Sequence, residues 1–243
     1  MAASPIQFPQ KTNAAPARGA DTPLSERAYQ QLRHDLLAGR IEPGSKLKLE
    51  TLQKSYGFSN TPLREALSRL AAEKLAIADE RRGFRASPVS APDLIDITQL
   101  RVTVECGAFA DAIRHGDDGW EAGIVAALHR FEIVQARLPR SGQQKSDEWM
   151  LRHKEFHMSL LAACRSKRML AIAAEAFDQA GRYRLISSLH RYRPRDAHDE
   201  HQQLVKLALA RKADAAAELM RVHISKTADS VLTALKSMST IVE

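Results

Sequence analysis

The chain has 243 residues, 44% of them hydrophobic and 27% charged, with a formal net charge of +7; this balance excludes a fibrous or disordered chain and leaves room for two compact domains. The basic excess is uneven, because residues 1–90 carry 14 Lys and Arg against 9 Asp and Glu (+5) while residues 91–243 carry 22 against 20 (+2), which makes nucleic acid the first partner to consider for the first third. No apolar run approaches the roughly 20 residues needed to cross a bilayer, no secretory apolar segment opens the chain, and two cysteines cannot build a disulfide framework, so a cytoplasmic protein with no membrane partner is expected.

Residues 1–21, rich in Ala, Pro, Gln and Ser and without period, read as a disordered leader. Thr22-Pro23 then opens a helix in which Leu24, Ala28, Leu32 and Leu36 recur every four residues, and Gly39 closes it ahead of a Pro43-Gly44 turn. Leu49, Leu52 and Tyr56 carry a short second helix. Gly57 stops that helix, Ser59-Asn60-Thr61 supplies capping residues, Pro62 suits a first turn, and Leu63, Ala66, Leu67 and Leu70 form one apolar stripe. The pattern is a helix-turn-helix. Its second helix sets Asn60, Thr61, Arg64 and Ser68 opposite the stripe, where a recognition helix holds its base- and phosphate-reading groups. Ser59, Asn60, Thr61, Arg64 and Arg69 are therefore candidate DNA contacts. Beyond Lys74, the segments Leu75 to Asp79 and Phe84 to Val89 flank Glu80-Arg81-Arg82-Gly83 as a β-hairpin, whose tip adds Arg82 and Gly83 as wing contacts. Residues 22–89 thus read as a winged helix-turn-helix domain.

From Ser90 the character changes. Ser90-Ala91-Pro92-Asp93 is a capping box with proline, and everything after it has helical periodicity, over about 92–115, 119–137, 146–163, 167–189, 196–211 and 213–238. Short connections between helices of this length predict an antiparallel bundle over 90–243, and the fold class expected for the whole chain is mainly α.

Four of the nine histidines fall on inward faces of that bundle. His153 and His157 lie one turn apart beside Leu160 and Leu161, His201 precedes Leu204 and Val205, and His223 follows Leu219 and Met220. For any one of them, a core histidine satisfied by its neighbours is the ordinary reading. Four on three helices favour a shared divalent ion, because imidazoles buried without partners cost about 1–3 kcal/mol each and an ion converts them into ligands. Arg101 interrupts the stripe Leu94, Ile97, Val104, Ala108 and needs an anion inside the bundle. Glu105, one turn on, is one such partner; the carboxylate of a bound ligand is the other.

These motifs resemble the GntR family of bacterial transcription regulators, in its FadR-like branch with a C-terminal FCD effector domain, and six bundle helices look closer to the VanR-type members. The resemblance runs from about Leu24 to the last helix. It rests on Gly39-Arg40-Ile41-Glu42-Pro43-Gly44 and Phe58-Ser59-Asn60-Thr61-Pro62-Leu63-Arg64-Glu65-Ala66-Leu67 in the first domain. In the second it rests on Leu100-Arg101 with Glu105, Phe156-His157, Glu200-His201 and Ala217-Glu218-Leu219-Met220-Arg221-Val222-His223. The resemblance implies a homodimer on a palindromic double-stranded operator, acting as a repressor under the control of a small organic carboxylate bound beside a divalent metal. By position it implies His157, His201 and His223 as metal ligands and Arg101 as effector-binding. Two positions depart from the family. His153 stands where an acidic or amide ligand is usual, and four neutral imidazoles favour zinc or nickel over manganese or calcium. Asn60 stands where arginine is common, and asparagine reads adenine where arginine prefers guanine.

An enzyme is not expected. His153-Lys154-Glu155-Phe156-His157 has Lys154 where the zincin pattern needs glutamate, and Glu155 is displaced by about 100° around the helix. A scaffold or metal-storage bundle leaves the wing and the basic first domain unexplained.

Overall fold

The computed structural model describes residues 22–79, 83–138, 146–189 and 197–241. The expected leader, the wing residue Arg82 and the connections at 139–142 and 193–194 lie outside the described residues. The chain divides into two compact units between Val89 and Ser90.

The first unit runs α1 (Leu24–Leu37), β1 (Lys46–Leu47), α2 (Leu49–Tyr56), α3 (Asn60–Ala72), β2 (Ala76–Asp79) and β3 (Gly83–Ala86). The apolar stripes of the three helices meet: Ala28, Leu32, Leu36, Leu52, Leu63, Ala66, Leu67 and Leu70 make one core, with Ala76 and Ala86 closing it from the strands. Burial of each leucine contributes about 1.5–3 kcal/mol. Gly57 ends α2 in the left-handed conformation at φ 75°, which lets the chain turn sharply into α3. Asp35 fastens the turn region from α1. Its carboxylate accepts from the Tyr56 hydroxyl at 2.6 Å and the Arg40 guanidinium at 2.8 Å, and its backbone carbonyl accepts from the amides of Arg40 and Ile41.

The hairpin expected after α3 is present, and a third strand joins it. The sheet order is β1-β3-β2, antiparallel throughout, with Arg85 opposite both Lys46 and Ile77. Strand β1 was absent from the sequence reading because two residues carry no period; it exists because β3 offers it an edge.

The second unit holds, among the described residues, six helices and no strand: α4 (Ala91–His115), α5 (Asp118–Ala136), α6 (Asp147–Leu161), α7 (Lys167–Leu189), α8 (His198–Leu209) and α9 (Ala213–Ile241). Starts are set by caps. The Ser90 hydroxyl accepts from the Asp93 amide, Asp117 from the Trp120 amide, and Ser146 from the Trp149 amide. The core is built on Phe109, Ile113, Ile124, Phe131, Phe156 and Leu160. Two buried polar tips tie helices together: the Trp120 indole N–H donates to the Ser159 carbonyl at 3.1 Å, and the Tyr183 hydroxyl accepts from the Ser90 amide at 3.2 Å while donating to Asp93. α4 packs along α7 and α9, and α5 along α6, which turns the inner faces of α6, α8 and α9 toward a common interior. Cys106 and Cys164 are free thiols.

Candidate functional site

The recognition-helix face is open. α3 buries Pro62, Leu63, Ala66, Leu67 and Leu70 and exposes Asn60, Thr61, Arg64 and Ser68. Among the described residues, Ser59, Asn60, Thr61 and Arg64 have no side-chain hydrogen bond or ion pair within the chain, so their donors and acceptors are free for a ligand. Ser59 occupies the N-cap position without using its hydroxyl as a cap.

Arg69 has a different place. Its guanidinium lies 2.6 Å from Glu26 and 3.7 Å above the Tyr29 ring, both on α1, while Tyr29 and Arg33 of α1 converge on Glu73, just past α3. Arg69, a candidate DNA contact in the sequence reading, thus also braces α3 against α1 while 47% of its side chain stays exposed; Glu26 and Tyr29 come within its reach only once those helices pack. Gly83, at φ 84°, opens β3 from the side of the wing; Arg82 lies outside the described residues.

In the second unit the four histidines converge. His153 and His157 on α6, His201 on α8 and His223 on α9 are all buried, His157 to 1% exposure. Ligating atoms of His153, His157 and His201 lie within 4.8 Å of one another. His223 is outside that set, with its ring centroid 4.9 Å from that of His201 and 5.2 Å from that of His157. The sequence reading ranked these differently, taking His223 among the three principal ligands and His153 as an addition; the structure puts His153 in the close set and His223 at its side.

Apolar rings wall the group. Trp149 stacks on His153 at 4.6 Å, Phe131 and Phe156 stand edge-on to His201, and Phe177 lies 5.1 Å from His157. Among the described residues neither ring nitrogen of His157 has a hydrogen-bond partner, although both are buried. Burial, followed by the neighbouring His223, His201, Arg101 and Arg184, holds the His157 imidazole well below its usual pKa and keeps it neutral. A buried neutral imidazole with two unsatisfied nitrogens, beside two others within ligating distance, fits a divalent cation and supplies a nitrogen-donor set.

Beside the histidines lies a cationic edge. Arg101 is buried at 4% exposure and Glu105 at 0%, and the two pair within α4 through Nε to Oε1 at 2.5 Å and Nη2 to Oε2 at 3.1 Å. The intrahelical partner weighed for Arg101 is therefore the one it has. A second guanidinium, from Arg184 on α7, shares the Phe177 ring with it: the two carbons lie 4.4 Å and 4.9 Å from the ring centroid, Arg184 the closer. Confinement, together with Arg101, pushes the pKa of Arg184 down to about 9. Sequence reasoning missed Arg184, Phe177 and Glu200. Arg184 was hidden in the run Gly181-Arg182-Tyr183-Arg184, which has no clear apolar face, and Glu200 was visible only as the neighbour of His201.

Comparison with known proteins agrees with this architecture. The family described as bacterial regulatory proteins, gntR family, matches residues 24–85, and the FCD domain matches residues 96–226. The chain belongs to the GntR family. This GntR-family chain is 35% identical over 204 residues to the HTH-type transcriptional regulator BphR of Paraburkholderia xenovorans (strain LB400), covering 84% of this chain and 83% of that protein. It is 36% identical over 200 residues to the HTH-type transcriptional repressor GlaR of Escherichia coli (strain K12), covering 81% and 90%. Among solved structures it shares its fold with a putative transcriptional regulator GntR from Rhodococcus sp. RHA1, at 18% identity and a TM-score of 0.70 over 88% of this chain and 99% of that one. It likewise shares its fold with E. coli McbR/YncC, at 18% identity and a TM-score of 0.68 over 90% and 99%. The family and these relatives are transcriptional regulators, not enzymes. Among the described residues no helix is long and apolar enough to cross a membrane.

Proposed function

We propose that this GntR-family regulator is a homodimeric, cytoplasmic repressor that binds a palindromic operator and responds to a small organic carboxylate beside a divalent metal in its FCD domain. The observation that carries the reading is the pairing, in one bundle, of a buried imidazole cluster with two guanidinium groups. The repressor assignment takes support from GlaR, a relative described as a repressor. Ser59, Asn60, Thr61 and Arg64, with the wing at Arg82 and Gly83, would meet the DNA; Asn60 favours an adenine contact.

His153, His157, His201 and His223 would hold the ion, with zinc or nickel the best match to an all-imidazole donor set. When bound, the ion would supply a Lewis-acidic position for a carboxylate oxygen. Arg101 and Arg184 would orient that carboxylate. Arg101 pairs with Glu105 and Arg184 feels Glu105 and Asp178 as well as Arg101, so the two guanidinium groups would serve the carboxylate as directed N–H donors.

Selection from a random duplex library, followed by gel retardation with zinc, with chelator, and with a panel of mono-, di- and tricarboxylates, tests the whole reading. One divalent ion per subunit, a palindromic selected site and release of that site by at least one carboxylate are expected. Failure to retard any selected duplex at low salt overturns the regulator reading. Retardation indifferent to metal and to every carboxylate overturns the effector reading alone.

A further inference from the structure

We infer that Glu200 is the positioning residue that aims His223 at the metal, an inference that rests on the reading of the histidine cluster as a divalent-ion site. Glu200 lies in the first turn of α8, next to the cluster member His201, and reaches across to α9. Its Oε2 is 2.8 Å from Nδ1 of His223, and its Oε1 is 3.4 Å from Nζ of Lys226.

An ionised carboxylate can only accept a hydrogen bond, so the Nδ1 that faces it carries the proton. Neutral imidazole has one protonated nitrogen, and Nε2 is then left with its lone pair for an ion. This matters at His223 in particular. The donors of His153, His157 and His201 already lie within 4.8 Å of one another, whereas His223 stands beside the set with its ring 4.9 Å from that of His201. Whether it completes the site depends on the orientation and tautomer of one ring, and the group that sets both is Glu200. The same contact has an electrostatic role. All four cluster side chains are neutral donors, so no anionic ligand balances the ion directly; Glu200 places a negative charge one imidazole away and raises the basicity of the ring between them.

The competing role for Glu200 is a plain tie between α8 and α9 through Lys226. The two separate in the full-length protein with Co2+ and Zn2+ as probes, in competition with a chromophoric chelator, using Glu200→Ala, Glu200→Gln and Lys226→Met. The circular dichroism of each variant is matched to the parent. Glu200→Ala is expected to weaken Co2+ binding about 10- to 100-fold and to alter the visible cobalt spectrum as a nitrogen donor is lost. Glu200→Gln keeps an acceptor for Nδ1–H and should fall between the two, and Lys226→Met should bind as the parent does. In the metal-free protein, imidazole 15N shifts should report the Nδ1–H tautomer for His223, with that preference lost in Glu200→Ala. Parental affinity and spectrum in Glu200→Ala, or an equal loss in Lys226→Met, overturns the inference while leaving the metal site standing. No Co2+ binding by the parent protein overturns the metal reading and this inference with it.

Discussion

Arg101 and Glu105 form a buried ion pair one helical turn apart, and this changes what a substitution there measures. Removing the arginine alone strands a carboxylate with 0% exposure, so Arg101→Ala is expected to destabilise the second unit by about 3–5 kcal/mol before any effect on ligand can be read. Replacing both partners with apolar groups of similar volume avoids the stranded charge, and Arg101→Met/Glu105→Leu should recover most of that loss. Urea unfolding of the two variants decides the point; equal midpoints would show that Glu105 is not stranded. Arg64 is the opposite case. It is exposed and has no partner among the described residues, so Arg64→Ala should leave the melting temperature unchanged and weaken operator binding by about 1–3 kcal/mol if it reads a base. Operator titration with wild-type affinity for Arg64→Ala would remove α3 from the groove. Arg69→Ala, by contrast, should act through the α1–α3 brace and lower affinity for all duplexes alike.

Elements are held to one another by a small number of polar ties, and one of them has a defined pH window. Asp111, near the end of α4, accepts from the backbone amide of Arg165 at 2.9 Å and from its guanidinium at 3.1 Å, fixing the turn between α6 and α7. Those hydrogen bonds and the Arg165 charge favour the ionised carboxylate and lower its pKa from 3.8 to about 2. A carboxyl depressed in the folded state stabilises it above the unfolded pKa, and that stabilisation is lost as pH falls from 3.8 towards about 2. Chemical-denaturation midpoints measured across that window should therefore fall more steeply for the parent protein than for Asp111→Asn; parallel curves would show that the tie contributes nothing. The elements also show where periodicity suffices and where it does not. Helices of a dozen residues or more declared themselves by apolar spacing and turn residues, down to the Ser90 cap, while the Ser146 cap is seen only in the structure. Strand β1 has two residues and no pattern of its own, so its existence depends on a neighbour far along the chain.

At the scale of the molecule, two half-sites of a palindrome require paired recognition helices, and a two-fold assembly presents them with one self-complementary contact. Light scattering should return twice 27.0 kDa; a strict monomer with and without DNA would contradict the palindromic operator. Much of this protein is legible in its sequence. Leu63, Ala66, Leu67 and Leu70 settled which face of α3 is buried, because side-chain direction on a helix follows from spacing alone. The inward placement of His153, His157, His201 and His223 followed from the same periodicity. What spacing could not show is which groups from different helices meet. That Arg69 of α3 pairs with Glu26 of α1, that Arg184 joins Arg101 across the Phe177 ring, that His153 rather than His223 sits in the close set, and that Glu200 faces His223 each depend on how two helices are rotated and offset when they pack. Periodicity within a helix is a local property carried by the chain; contact between helices is decided by the burial of the whole core, and only the folded bundle records it.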